Sequence, residues 1–219
     1  MSSELLHKIP NEVPAIMAAQ TEPLACVLNG INKIKPNPSN RILLYGAGPI
    51  GLTFVRVLKM YGVTDLIVAE MSPERKDFAL KCGADFVLDP SKVDLKKELI
   101  RIWGNLPDIV IDAVGAGSIM ESSLELLKCR GSYLIFGQDS NAISKIKPAI
   151  ITRNELIIMG SYIADHTFPL AVRYLGNDNL GIDRLVSHKI ELKDILKGIE
   201  LIKSKAASRI IIFPNGIIE

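Results

Sequence analysis

The chain has 219 residues, enough for one large domain or one domain with a partial companion. Hydrophobic residues at 48% and charged residues at 23% exclude a disordered, collagen-like or low-complexity chain. Twenty-six Lys and Arg against 24 Asp and Glu leave a net charge of +2 with no long basic run, which argues against nucleic acid or an anionic membrane as partner. Cys26, Cys82 and Cys129 are too few and too scattered for a disulfide framework or a Cys-x-x-Cys metal site, and they fit a reducing cytoplasm. No apolar run approaches the roughly 18 residues that span a bilayer, and Met1 to Pro10 lacks the order of a signal peptide, so an intracellular chain is expected.

In chain order, Leu24, Val27, Leu28 and Ile31 repeat at i, i+3, i+4, i+7, predicting a helix that ends before Lys35-Pro36-Asn37-Pro38. Residues 42–45 read as a strand, and Ile50, Phe54, Val57, Leu58 and Tyr61 as the buried stripe of a helix over 49–62. The alternation continues with a strand at 66–69, a helix at 73–82, a strand at 85–88 and a helix carrying Leu95, Leu99, Ile102 and Trp103. Ile109 to Ile111 is a continuous apolar run, as expected of a strand covered on both faces, and a helix at 118–129 and a strand at 132–136 follow. This βαβα order implies a doubly wound parallel sheet of Rossmann type with helices on both faces. Past Gly137 come a polar loop, an apolar run at 156–159, a helix near 168–175, and a final helix and strand within 193–213.

The first strand ends in Gly46-Ala47-Gly48-Pro49-Ile50-Gly51, a G-x-G-x-x-G between strand and helix. Gly46 permits the tight turn, Gly48 lets backbone approach a pyrophosphate, and Gly51 allows helix to pack closely on strand. The phosphates would meet free N–H groups and the positive end of the helix dipole. Nineteen residues past Gly51, Glu70 stands where an acid accepts the ribose hydroxyls, and its charge favours NAD over NADP. Arg75 is either a solvated helix residue or a guanidinium at the adenosine.

Four segments carry a family resemblance: Glu22-Pro23-Leu24-Ala25, residues 42–52, Cys82-Gly83-Ala84-Asp85 and Ile111-Asp112-Ala113-Val114-Gly115. They resemble the zinc-type medium-chain alcohol and polyol dehydrogenases of the sorbitol dehydrogenase kind. The resemblance runs from about Lys8 to Phe213 and covers only the carboxyl-terminal portion of a family member, so the amino-terminal catalytic lobe is expected to be absent. It implies Gly46, Gly48, Pro49, Ile50 and Gly51 at the pyrophosphate and Glu70 and Arg75 at the adenosine ribose. It also implies Val114, Gly115, Phe136, Gly137 and Gln138 at the nicotinamide half. Arg209 matches a basic position that can face the pyrophosphate; the other reading is an exposed charge leading into a strand. Tyr162 matches an aromatic near cofactor and substrate, whereas Ile163 replaces the family's arginine.

Glu22 falls at a position that, by the resemblance, ligates or sits beside the family's catalytic zinc, but a lone carboxylate makes no zinc site, and His7, His166 and His188 have no ligand spacing. Zinc is therefore not expected in this chain alone. Thr21 as N-cap with Glu22 in the first turn accounts for the segment. The resemblance divides the chain into a leading segment with its helix (1–40), a dinucleotide-binding domain (41–185) and a helix and strand of the catalytic lobe (186–219). Without that lobe, Ile195, Ile199, Ile202 and Ile210 to Ile212 need another partner or stay exposed. The family further implies a homodimer through the edge strand at 156–159. Three readings stay open: an NAD(H)-binding domain with little activity alone, an active NAD-dependent dehydrogenase with its lobe supplied elsewhere or with Tyr162 as acid/base group, and a noncatalytic module that senses NADH or serves as a scaffold without ligand.

Overall fold

The computed structural model describes residues 6–177, 180–204 and 206–217. A short helix α1 (Ala15–Ala18) leads into α2 (Thr21–Ile34), which a left-handed Lys35 terminates ahead of Pro36. Strand and helix then alternate: β1 (Arg41–Tyr45), α3 (Pro49–Met60), β2 (Asp65–Ala69), α4 (Pro73–Cys82), β3 (Phe86–Leu88), α5 (Leu95–Trp103), β4 (Ile109–Asp112), α6 (Gly117–Leu126) and β5 (Ser132–Ile135). After α7 (Pro148–Arg153) come β6 (Ile157–Gly160) and α8 (Phe168–Leu175), and the chain finishes with β7 (Val186–Glu191), α9 (Ile195–Lys203) and β8 (Arg209–Phe213). Local chemistry sets several ends: the Ser72 hydroxyl accepts from Arg75 N ahead of α4, the Asp94 carboxylate accepts from Lys97 N ahead of α5, and left-handed Gly83 and Gly104 close them.

Among the described residues, six parallel strands form one sheet in the order β3-β2-β1-β4-β5-β6. Strand alternation divides its side chains between two cores. Ile42, Leu44, Leu66, Val68, Ile109 and Ile111 pack on one face with α2, α3 and α8. Leu43, Tyr45, Ile67, Val110 and Tyr133 pack on the other with Trp103 of α5 and Leu124 of α6. Each fully buried aliphatic side chain contributes about 1.5–3 kcal/mol, and both faces of β1 and β4 are filled this way. The expected doubly wound α/β fold is what the chain adopts.

The terminal unit differs from its expectation by one strand. β7 pairs in parallel with β8 across α9, making a separate two-stranded β-α-β unit. Ser187, His188 and Lys189 interrupt the apolar pattern there, which hides the strand from periodicity. A second correction concerns α2: Gln20, not Thr21, takes the N-cap position, because Thr21 is already helical and its hydroxyl donates back to Ala18 O at 2.6 Å. Glu22 does lie in the first turn. Among the described residues, no helix is long and apolar enough to cross a membrane.

Candidate functional site

The strand order reverses between β1 and β4, and in such sheets the crevice beyond the strand ends at this point is where ligands sit. The glycine loop occupies that crevice. Gly46 has φ +92, and a Cβ there would lie 2.8 Å from Val114 Cγ2. At Gly51 a Cβ would come within 1.9 Å of Gly46 O, so loop and helix touch main chain to main chain. At Gly48 the situation is the opposite: a Cβ would meet nothing within 4 Å. Gly48 has extended backbone as N-cap of α3, Pro49 and Ile50 follow in the first turn, and no side chain caps that end. The protein's own packing thus demands glycine at 46 and 51 and leaves 48 facing open space.

Two cavities flank the loop after β4. The larger, about 730 Å³, is lined by Tyr45, Gly46, Glu70, Met71, Val114 and Ile119 among others, a size suited to a cofactor fragment. The smaller, about 440 Å³, is lined by Asp112, Gly115, Gly137, Gln138 and neighbouring residues. The structure therefore brings together Gly46, Glu70 and Val114 on one side, and Gly115, Gly137 and Gln138 on the other. Phe136 turns inward instead: its ring meets Phe54 edge to face at 4.9 Å and packs under Gly30. Arg75 is half-buried on α4 and lines neither cavity.

The Glu70 carboxylate is already engaged. Oε2 accepts from Ala47 N at 2.8 Å, and Oε1 accepts from Met71 N and Ser72 N at 2.9 Å each. It pins the glycine loop to the end of β2, and three of the about four acceptor positions of a carboxylate are occupied this way.

Arg209 is the largest departure from the sequence reading as an exposed charge, for it is only 9% exposed. The guanidinium donates to Gln20 Oε1 at 2.5 Å, Pro49 O at 3.2 Å and Thr53 Oγ1 at 3.4 Å. Burial lowers its pKa, with the Glu22 charge acting in the other direction. It sits at the root of α3, tying the terminal unit to the glycine-loop helix.

Glu22 accepts from Cys26 Sγ at 3.1 Å. Burial, and then the Glu22 hydrogen bond and charge, raise the Cys26 thiol to about 12, so it is a thiol rather than a thiolate ligand at neutral pH. Among the described residues no group of three or more His, Cys, Asp or Glu could hold a metal ion. Tyr162 is 68% exposed on the loop after β6, where its carbonyl and that of Ile163 accept from Asn29 Nδ2. Sequence reasoning overlooked Asn29, Gln20 and the Asp112–Tyr133 pair; an acid ending an apolar strand two residues before Val114-Gly115 was the available signal.

The profile of the zinc-binding dehydrogenases matches residues 49–177. D-arabinitol dehydrogenase 1 of Uromyces fabae is 30% identical over 203 residues, covering 90% of this chain and 58% of the relative. Sorbitol dehydrogenase of Bombyx mori is 28% identical over 215 residues, covering 96% of this chain and 61% of the relative. The crystal structure of the rspB alcohol dehydrogenase from E. coli CFT073, complexed with cofactor NADH, has a TM-score of 0.90 at 29% identity and covers 96% of this chain and 63% of that one. The chain spans less than two thirds of the length of each. With the glycine loop at the switch point of a Rossmann sheet and the profile matching more than half its residues, the chain belongs to the zinc-binding dehydrogenase family.

Proposed function

We propose that this chain binds NAD(H) as the cofactor-binding portion of an alcohol or polyol dehydrogenase and has little activity alone. One observation carries the reading: Gly48, at the uncapped start of α3, faces space that no atom of the protein fills. Free N–H groups and the helix dipole make that space favourable for a pyrophosphate. The nicotinamide ring, when bound, would supply the hydride acceptor or donor. Glu70 holds the loop and offers one carboxylate position to the adenosine ribose, and its charge disfavours a 2′-phosphate. Gly115, Gly137 and Gln138 form the walls toward the nicotinamide half, and Val114 lines the cavity it shares with Glu70. Support from relatives lies in the NADH complex of the rspB dehydrogenase. A homodimer joined through β6 belongs to the same proposal, since β6 is one of the sheet's two edge strands.

Fluorescence titration of the chain with NADH and NADPH tests the assignment. The unaltered chain is expected to bind NADH more tightly than NADPH. Gly48→Val should abolish the NADH signal while costing no more than about 1 kcal/mol of stability, because the new side chain projects into open space and the loss is that of a poorer N-cap residue. An unchanged titration curve for that variant would refute the pyrophosphate site.

A further inference from the structure

We infer that Asp112 is a positioning residue that locks the loops after β4 and β5 into one rigid wall whose Gly115 and Gly137 face the nicotinamide side of the site, an inference that rests on the NAD(H) reading above. Asp112 ends β4 and is 2% exposed. A carboxylate at that depth is stable only with its lone pairs occupied. Oδ1 accepts from Val114 N and Gly115 N, each at 2.8 Å, and Oδ2 accepts from the Tyr133 hydroxyl at 2.8 Å. Its main-chain carbonyl accepts from Phe136 N at 3.0 Å and Gly137 N at 2.8 Å. One residue thus grips the loop after β4 with its side chain and the loop after β5 with its backbone.

The two loops leave no slack between them. A Cβ on Gly137 would stand 2.4 Å from Val114 C and 2.5 Å from Gly115 N, and a Cβ on Gly115, at φ +90, would stand 2.7 Å from Gly137 C. Backbone therefore abuts backbone, and the register is set by the hydrogen bonds to Asp112. Tyr133 is fully buried, and burial followed by the Asp112 charge holds its phenol well above the ordinary range, so it stays a donor at every working pH. Because the N–H groups of Val114 and Gly115 are directed at Asp112, the Val114 side chain, 46% exposed, is presented to the larger cavity. Gly115 is presented to the smaller one.

The experiment is a fluorescence and calorimetric titration of the full chain with NADH and with ADP-ribose, which lacks the nicotinamide ring. Asp112→Ala is expected to weaken NADH by about tenfold or more and ADP-ribose by less than about threefold, the size of loss that follows from removing a buried acceptor. Asp112→Asn keeps an acceptor for the two N–H groups and can donate to Tyr133 oxygen, so it should restore NADH binding to within about threefold of the unaltered chain. Should Asp112→Ala not fold, Tyr133→Phe carries the test, with an expected loss of about threefold for NADH and none for ADP-ribose. Equal losses for both ligands, or no loss for NADH, overturn the inference while leaving the NAD(H) reading standing. Failure of the unaltered chain to bind NADH overturns that reading and this inference with it.

Discussion

The six-stranded sheet and the terminal β-α-β unit use the same sequence devices with opposite outcomes. Helix α3 buries Gly51, Leu52, Phe54, Val55, Val57 and Leu58 against β1 and its neighbours, whereas amphipathic α9 buries only Gly198. Leu196 is 73% exposed, and Ile195, Ile199 and Ile202 are between 38% and 47% exposed. The difference teaches that an apolar stripe states a need for a partner without supplying one. In the sheet the partner is within the chain, on both faces. In the terminal unit the inner contacts come from β7 and β8, Arg209 anchors the unit to α3, and the remaining stripe faces outward.

Glycine substitutions give the widest separation between the two regions. A side chain at Gly51 would drive a Cβ to 1.9 Å from a main-chain oxygen that cannot move without unmaking the loop. Gly51→Val should therefore cost about 4 kcal/mol or more, a size that marks disruption of backbone packing. Urea unfolding followed by circular dichroism reads it, and a loss under about 1 kcal/mol would show that the glycine loop yields as readily as surface structure.

Truncating aliphatic side chains comes next in size. Ile111, fully buried in β4, should lose about 2–5 kcal/mol on replacement by Ala, through lost transfer energy and the cavity left behind. Ile199, 45% exposed on α9, should lose no more than about 0.5 kcal/mol on the same replacement. If the two losses proved equal, α9 would have to be covered in solution, and the apparent contrast would reflect a missing partner rather than a different kind of packing.

The same contrast explains how much could be read in advance. Parallel strands buried on both faces announce themselves as unbroken apolar runs, so β1, β2, β4 and β5 were legible, as were the helices between them. β7 was not, because one of its faces is half-open and Ser187, His188 and Lys189 fit solvent as well as a ladder. In the site, Gly46, Gly48 and Gly51 were legible because local backbone geometry alone dictates them. Asp112 was not assigned, since its partner Tyr133 lies 21 residues away and only the β4–β5 register brings the two together. Arg209 read equally well as a solvated charge, because its carbonyl acceptor on Pro49 is 160 residues distant in sequence. Contacts of that separation are a property of topology, which composition and period do not encode.

The smallest expected effect is the most discriminating. Gly198 lies inside α9, where alanine is favoured over glycine by roughly 1 kcal/mol through backbone entropy. Against that gain, a Cβ would stand 2.6 Å from Ile190 Cδ1 and 3.6 Å from Ile210 Cδ1. The close neighbour is the tip of a half-buried side chain, free to rotate toward solvent, unlike the carbonyl that confronts Gly51. An off-rotamer shift of that kind costs about 0.5–1.5 kcal/mol, so gain and cost nearly cancel and Gly198→Ala should change stability by less than about 0.5 kcal/mol. Matched unfolding curves for Gly51→Ala and Gly198→Ala then isolate the nature of the obstacle, main chain in one case and a side-chain end in the other, at equal added volume. A loss at Gly198 as large as that at Gly51 would mean that Ile190 is held as firmly as backbone, and that the terminal unit is packed to the same density as the sheet despite its exposed face.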